Sequence, residues 1–412
     1  MRFTFLHAAD LHIDSPLAAL GLRDAAVAAR FAKAGRRATE ALVDAAIDGG
    51  AAFVVIAGDI FDGDWKDVST GHFFVKLLGR LERAGIPAFI VRGNHDADSE
   101  MSRTLPFPEA TRVFSATKAE TFALEHLKVA LHGRSFSKKH PDEDFVRAYP
   151  PARDGWLNIG VLHTALDGSR GHISYAPCTL EGLARFGYDY WALGHVHAAE
   201  VLARAPFVVY PGNLQGRSVR ECGPKGAMRV TVEEGRVVSV EPLALDCARW
   251  AQEEIDITGA ADERAVLTAI EARLAAVHAT ADGRPLAARL ILVGETALHE
   301  RLAARRETLE EDVRALGLRL ADDCWVERLK LATRAPPAAT AAAEPDALDL
   351  EGLLAATAAE PEFLVEVAAL CAQIADKLPR GLREALPLDA AALGARAEAA
   401  RDRLLGELAD PA

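Results

Sequence analysis

Five times in its first 200 or so residues this chain runs apolar for several positions and then stops on Asp, Asn or His. The runs fall at 3–9, 51–57, 88–91, 157–163 and 188–193. They lead into Asp10-Leu11-His12, Gly58-Asp59, Gly93-Asn94-His95-Asp96, His163 in Val-Leu-His-Thr, and Gly194-His195-Val196-His197. A short apolar run bounded by glycine or a polar residue reads as a strand buried on both faces. Helical patterns follow the first two runs, at 24–48 and 68–84, the second passing through Gly85 and Pro87 into the third run. Strands alternating with helices imply α/β layers, in which strand ends meet at one edge of a sheet and ligands bind there. Residues about 180 apart in sequence can therefore converge.

The same reading organises the rest of the chain. A further strand is expected at 128–133, and 201–210 and 227–245 read as antiparallel β with Glu233-Glu234-Gly235 as a turn. Residues 1–246 are expected to form an α+β layered unit, two packed sheets flanked by helices. Residues 247–334 are expected to be a small α+β cap, with strands at 254–257, 288–293 and 325–331 and helices at 261–279 and 297–316. Residues 335–348 are rich in Ala and Pro without periodicity and read as a linker. The tail, 349–412, is helical: Phe363, Val367, Leu370, Ile374 and Leu378 recur at i+3/i+4 spacing, as do Leu393, Ala397, Ala400, Leu404 and Leu408. Such short helices need something to pack on, either this chain's own domains or a partner.

At 412 residues the chain is long enough for two or three domains. Its net charge of −13 argues against attachment to nucleic acid mainly through a globally basic surface, though not against a local basic groove. The five cysteines, Cys178, Cys222, Cys247, Cys324 and Cys371, lie far apart with no CxxC pair. They suggest free thiols in a reducing compartment rather than disulfides or a zinc knuckle. With no leader-like N-terminus and no stretch near the ~18 apolar residues of a membrane span, a cytoplasmic protein is expected.

The residue types at the strand ends suit a pair of divalent cations. Two cations about 3.5–4 Å apart need a shared ligand, and a carboxylate can bridge them. Asp59 is the best candidate for that bridge. Asp10 and His12, at i and i+2, can project to one side and hold one metal; His195 and His197 have the same spacing, and Asn94 offers a neutral oxygen. Mixed nitrogen and oxygen ligation favours Mn²⁺, Fe²⁺ or Zn²⁺ over Mg²⁺ or Ca²⁺. Such a pair lowers the pKa of bound water from 15.7 toward roughly 7–9 and neutralises a phosphate. His95 cannot easily face the same metal as Asn94, so it is available to contact phosphate or protonate a leaving oxygen. Any single motif could be a polar strand end or a tight turn. Five of the thirteen histidines falling inside the ordered motifs argues otherwise.

This order of motifs resembles the calcineurin-like metallophosphoesterase superfamily over residues 1 to about 217. The resemblance implies a two-sheet sandwich with metals at its edge. One metal would take Asp10, His12, Asp59 and His197, and the other Asp59, Asn94, His163 and His195; His95 matches the catalytic histidine. A narrower resemblance rests on four segments: His-Ala-Ala-Asp-Leu-His-Ile-Asp-Ser-Pro-Leu (7–17), Ala-Gly-Asp-Ile-Phe-Asp (57–62), Val-Arg-Gly-Asn-His-Asp (91–96) and Tyr-Pro-Gly-Asn-Leu-Gln-Gly-Arg (210–217). These are similar to SbcD-type DNA repair exonucleases, the first being closest to the YhaO-like branch. That family implies Mn²⁺ dependence, a cap domain, and a helical segment that docks on an SMC/Rad-like coiled-coil ATPase. Asp62 stands where archaeal and eukaryotic members carry a second active-site histidine; bacterial members also have Asp there. Asp62 and Asp96 are expected to support the ligands from behind.

Protein phosphatases of the superfamily carry Gly-Asp-x-x-Asp-Arg-Gly and Gly-Asn-His-Glu, whereas this chain has Gly-Asp-Ile-Phe-Asp-Gly and Gly-Asn-His-Asp. The missing arginine weighs against phosphoprotein substrates. Basic residues that could touch a DNA backbone are Arg134, Lys138 and Lys139 in one run and Arg217, Arg220 and Lys225 in another. Each run alone could equally be a solvated surface loop. The expected activity is Mn²⁺-dependent DNA phosphodiester hydrolysis. Alternatives are hydrolysis of small nucleotides or nucleotide-sugars, and a scaffold regulating the ATPase. The expected partners are DNA, that ATPase through 349–412, and a second copy of the chain in a homodimer.

Overall fold

The structure is a computed structural model and describes residues 1–15, 25–62, 68–97, 105–167, 175–336, 350–377 and 389–409. Pro16 and Leu17, most of the expected linker and Leu378 lie outside them. The chain divides into two compact units: Met1–Ala251 with Gly283–Ala287, and Gln252–Asp282 with Ala288–Ala412.

In the first unit the strands are β1 (Arg2–Ala8), β2 (Val54–Ala57), β3 (Ala88–Val91), β4 (Thr111–Val113), β5 (Glu120–Leu124), β6 (Val129–Gly133), β7 (Leu157–His163), β8 (Tyr190–Gly194), β9 (Glu200–Arg204), β10 (Phe207–Tyr210), β11 (Gly226–Glu233) and β12 (Arg236–Ala244). They form two six-stranded sheets, ordered β12-β11-β1-β2-β3-β4 and β5-β6-β7-β8-β10-β9. β1 to β4 run parallel, as do β6, β7 and β8. Parallel strands put their C-terminal ends at one edge.

The apolar runs are continuous because both faces of these strands are covered. Phe5, Phe53, Val55, Phe89 and Val91 pack inward against Val129, Leu131, Ile159, Val161 and Tyr190 of the second sheet. Leu6, Val54, Ile56 and Ile90 face outward onto Ala38, Leu42 and Ala46 of helix Ala25–Asp48 and Phe74, Leu77 and Leu81 of helix Val68–Arg83. Trp191, Leu193 and Val208 face the other way, into a layer containing Phe136, Phe145, Tyr149 and Tyr188.

A three-stranded sheet ordered β13-β14-β15, from Arg249–Asp256, Leu286–Glu295 and Cys324–Arg334, lies mostly in the second unit, the first residues of β13 and β14 being counted with the first. Helix Glu263–Thr280 buries Val266, Ile270 and Leu274. The expected single helix at 297–316 is instead two, His299–Ala304 and Arg306–Leu320, with Arg305 at φ −98° and ψ 19° between them. The strands are longer than their apolar centres because alternating polar residues such as Arg289 and Glu327 pair with each other along the sheet. The tail helices belong to this unit: Ala390–Ala409 packs on His299–Ala304 and is joined by Leu350–Ala359 and Pro361–Lys377.

Candidate metal centre

Each candidate ligand leaves the end of a parallel strand. Asp10 and His12 follow β1, Asp59 follows β2, Asn94 and His95 follow β3, His163 ends β7, and His195 and His197 follow β8. Two groups of donor atoms result. Asp10, His12 and His197 bring one atom each within 4.8 Å of one another, and so do Asp59, His163 and His195. In the first, Nε2 of His12 and Nε2 of His197 face each other at 3.3 Å, and Asp10 Oδ1 lies 4.0 and 3.7 Å from them. In the second, Asn94 Oδ1 lies 3.0 Å from His163 Nε2 and 3.2 Å from His195 Nδ1, and Asp59 Oδ2 lies 3.4 Å from His163 Nε2.

This set fits divalent cations. Asp10 Oδ1 is buried with no hydrogen-bond donor, which is costly unless something positive satisfies it. Burial pushes Asp59 up, but the imidazoles of His163, His12 and His95 outweigh it and hold the carboxyl well below its usual range. Burial likewise depresses His163, yet Asp59 and Asp10 raise it to about 9. The pocket is negative enough to hold a proton on a fully buried imidazole, and a cation answers the same demand.

The backbone has been bent to achieve this. Asp10, His12, Asp59 and His195 all have positive φ, at 51°, 42°, 52° and 101°. Gly58, at φ 97°, and Gly93 allow the turns to close: a Cβ on Gly93 would strike the Asp59 carboxylate and the His163 ring. Asp96 clips two of the turns together by accepting from the backbone N–H groups of Ile60, Phe61 and Gly93. Burial and the neighbouring Asp59 push its carboxyl up to about 6, against those hydrogen bonds.

His95 stands beside the donors. Its backbone N–H donates to Asp59 Oδ1 at 3.0 Å, and its ring Nδ1 lies 3.1 Å from Asp62 Oδ1. The Asp62 carboxylate raises the pKa of His95 against partial burial. Asp62 also reaches His12 Nδ1 at 3.5 Å and accepts from Ser15. Together His12, Asp62 and His95 form a third group of metal-capable side chains.

The basic residues divide. Arg217 is at the centre, with one amine 3.7 Å from Asp62 and the other 3.3 Å from His197 Nδ1. Lys225 donates to the His197 carbonyl. Arg220 is exposed. Arg134 and Lys138 are instead paired with Glu143 and Asp142, and Arg134 lies over the Phe145 ring. The structure does not gather these two with the donors; Lys139 is half-buried in the same loop. A cavity of about 1010 Å³ nearby in sequence is lined by Asp142, Glu143, Asp144 and Asp167 and contains none of the candidate ligands.

Three contributors were not among the expected site residues: Glu221 lies outside the motifs, and Asp14 and His7 lie in the 7–17 segment without an assigned role. Glu221 takes the Nδ1 side of His197 at 2.7 Å. Asp14 is gripped by Arg36 and Thr70, which ties the loop bearing Asp10 and His12 to the flanking helices. His7 joins the two sheets through Tyr190 Oη and the Leu193 carbonyl, and burial lowers its pKa to about 3.

Sandwiched sheets with a two-cation edge define a metallophosphoesterase. Residues 3–199 match the family model for calcineurin-like phosphoesterases, and residues 250–334 match that for the middle domain of the metallophosphoesterase YhaO. The chain is 34% identical over 333 residues to the uncharacterized metallophosphoesterase YhaO of Bacillus subtilis (strain 168), covering 79% of this chain and 81% of that one. It belongs to the calcineurin-like phosphoesterase family, in the YhaO group. More distant relatives are the DNA double-strand break repair proteins Mre11 of Methanopyrus kandleri and Aeropyrum pernix. The first is 25% identical over 285 residues (63% of this chain, 59% of that protein). The second is 27% identical over 273 residues (61% and 63%).

Proposed function

We propose that this metal-dependent phosphoesterase uses Mn²⁺ to cleave DNA phosphodiesters, as the nuclease subunit of a complex with an SMC/Rad-like coiled-coil ATPase in DNA repair. The observation that carries the phosphoester chemistry is the pair of donor groups, Asp10–His12–His197 and Asp59–His163–His195, with His95 hydrogen-bonded to Asp59. The similarity to proteins named for double-strand break repair supports DNA as the substrate class.

The residues divide the work. Asp10, His12, Asp59 and His197 would hold one cation and Asp59, Asn94, His163 and His195 the other. The bound pair supplies an activated water and charge neutralisation for the phosphate. His95, with Nδ1 turned to Asp62, presents Nε2 to deliver a proton to the leaving oxygen. Arg217 places positive charge at the same edge for a phosphate oxygen.

The test is digestion of linear duplex and single-stranded DNA with Mn²⁺, Zn²⁺ or Fe²⁺, wild type against His95→Ala. Mn²⁺-dependent release of nucleotides, lost in the variant, is expected. Turnover of cyclic nucleotides with DNA left intact would replace this reading with a small-nucleotide phosphodiesterase.

A further inference from the structure

The two donor groups are supported differently from behind. His163 Nδ1 meets a backbone carbonyl, that of Ala57, at 2.8 Å. His197 Nδ1 meets a carboxylate, Glu221 Oε1, at 2.7 Å. Glu221 belongs to a loop after β10 whose other members also grip His197. The Asn213 N–H and the Lys225 ammonium both donate to its carbonyl oxygen. Glu221 is itself fixed: Oε2 accepts from Asn213 Nδ2 at 3.0 Å and from the Arg217 backbone N–H at 2.7 Å, and Oε1 from the Arg217 guanidinium at 3.2 Å. Its side chain is only 12% exposed, so the charge has been brought into the protein and fully hydrogen-bonded.

We propose that Glu221 is a positioning residue that sets the affinity of the Asp10–His12–His197 position for its cation, making that position the one whose occupancy depends on the 211–225 loop. This rests on the reading of the metal centre above. With Nδ1–H donated to Glu221, the His197 lone pair is fixed on Nε2, the atom that faces His12 Nε2 and Asp10. A carboxylate acceptor also makes the imidazole a stronger donor to a metal than a backbone carbonyl does. At the Asp59–Asn94–His163–His195 position the support behind His163 is instead the main-chain carbonyl of Ala57.

The experiment is titration of metal-free full-length protein with Mn²⁺ alone, followed by calorimetry and by the EPR signal of free Mn²⁺. The wild type is expected to bind two ions. In Glu221→Ala one of the two affinities should fall roughly 10–100-fold while the other holds. The position lost should be the one removed by His197→Ala. Glu221→Asp keeps the charge with a shorter reach and should restore part of the affinity. It also carries the test if the alanine variant does not fold. Two unchanged affinities in both Glu221 variants, or equal weakening of both positions, would overturn the proposal while leaving the metal centre standing. A wild type that takes up fewer than two ions would overturn both.

Discussion

Asp59 shows what a single residue is asked to do here. It is held at positive φ, surrounded by three imidazoles, and grouped with His163 and His195. Left-handed backbone at a residue other than glycine costs on the order of 1–3 kcal/mol, and four candidate ligands carry it. Asp59→Asn keeps the shape but removes the charge, so elemental analysis after dialysis should find fewer than two bound ions. His95→Ala should bind both ions and lose about 10²–10⁴-fold in kcat. The Asp62 hydrogen bond raises the pKa of His95, and the proposed proton delivery needs its acid form. The rate should therefore fall as pH rises through that raised pKa, and in Asp62→Asn the falling limb should move to lower pH, read from kcat against pH. The metal-free protein has a related signature at His163. Its pKa rises on folding from 6.5 to about 9. The stability it contributes is fully present below about 6.5 and lost as pH rises through about 9. The melting temperature of metal-free protein should fall over that window.

At the level of elements, the strands that end in ligands were legible because burial on both faces leaves an unbroken apolar run, and the motif begins where the run stops. β4 and β5 were not: Thr111–Val113 is three residues long, and Glu120–Leu124 is half-exposed at a sheet edge, so neither leaves a run to read. The break at Arg305 escaped for a different reason. Helical spacing continues across it, since Leu302 before it and Leu309 after it are both buried, and no proline or glycine marks the break. The turns after the strands are tight enough to make glycine obligatory. Gly93→Ala would force a methyl into the Asp59 carboxylate and the His163 ring. A loss of about 1–3 kcal/mol in denaturant unfolding, together with impaired ion binding, is the expected outcome.

Over the whole molecule, the tail is the part whose role the sequence left open between packing on its own chain and docking on another. The structure places Leu393 and Ala397 of helix Ala390–Ala409 in buried positions within the second unit, while Val365, Leu370 and Ile374 of helix Pro361–Lys377 stay 68%, 60% and 53% exposed. Leu408, in the same expected stripe, has no described side-chain environment. Truncation after residue 388 should lower the unfolding temperature of the second unit, while Mn²⁺ stoichiometry at the first unit is retained.

The sequence by itself determined the chemistry: which residue types end the apolar runs, in what order, and hence a phosphoesterase with two cations at a sheet edge. Those choices are local, written in periodicity and in the stop that follows it. Only the tertiary structure decided the supports. It paired Arg134 and Lys138 with neighbouring acids, drew Arg217 into the centre, and set Glu221 behind His197 and Asp14 beneath the first ligand loop. A side chain that acts through another residue follows no periodicity of its own. Its partner is chosen by how loops from distant strands meet, and that meeting exists only once the two sheets have packed.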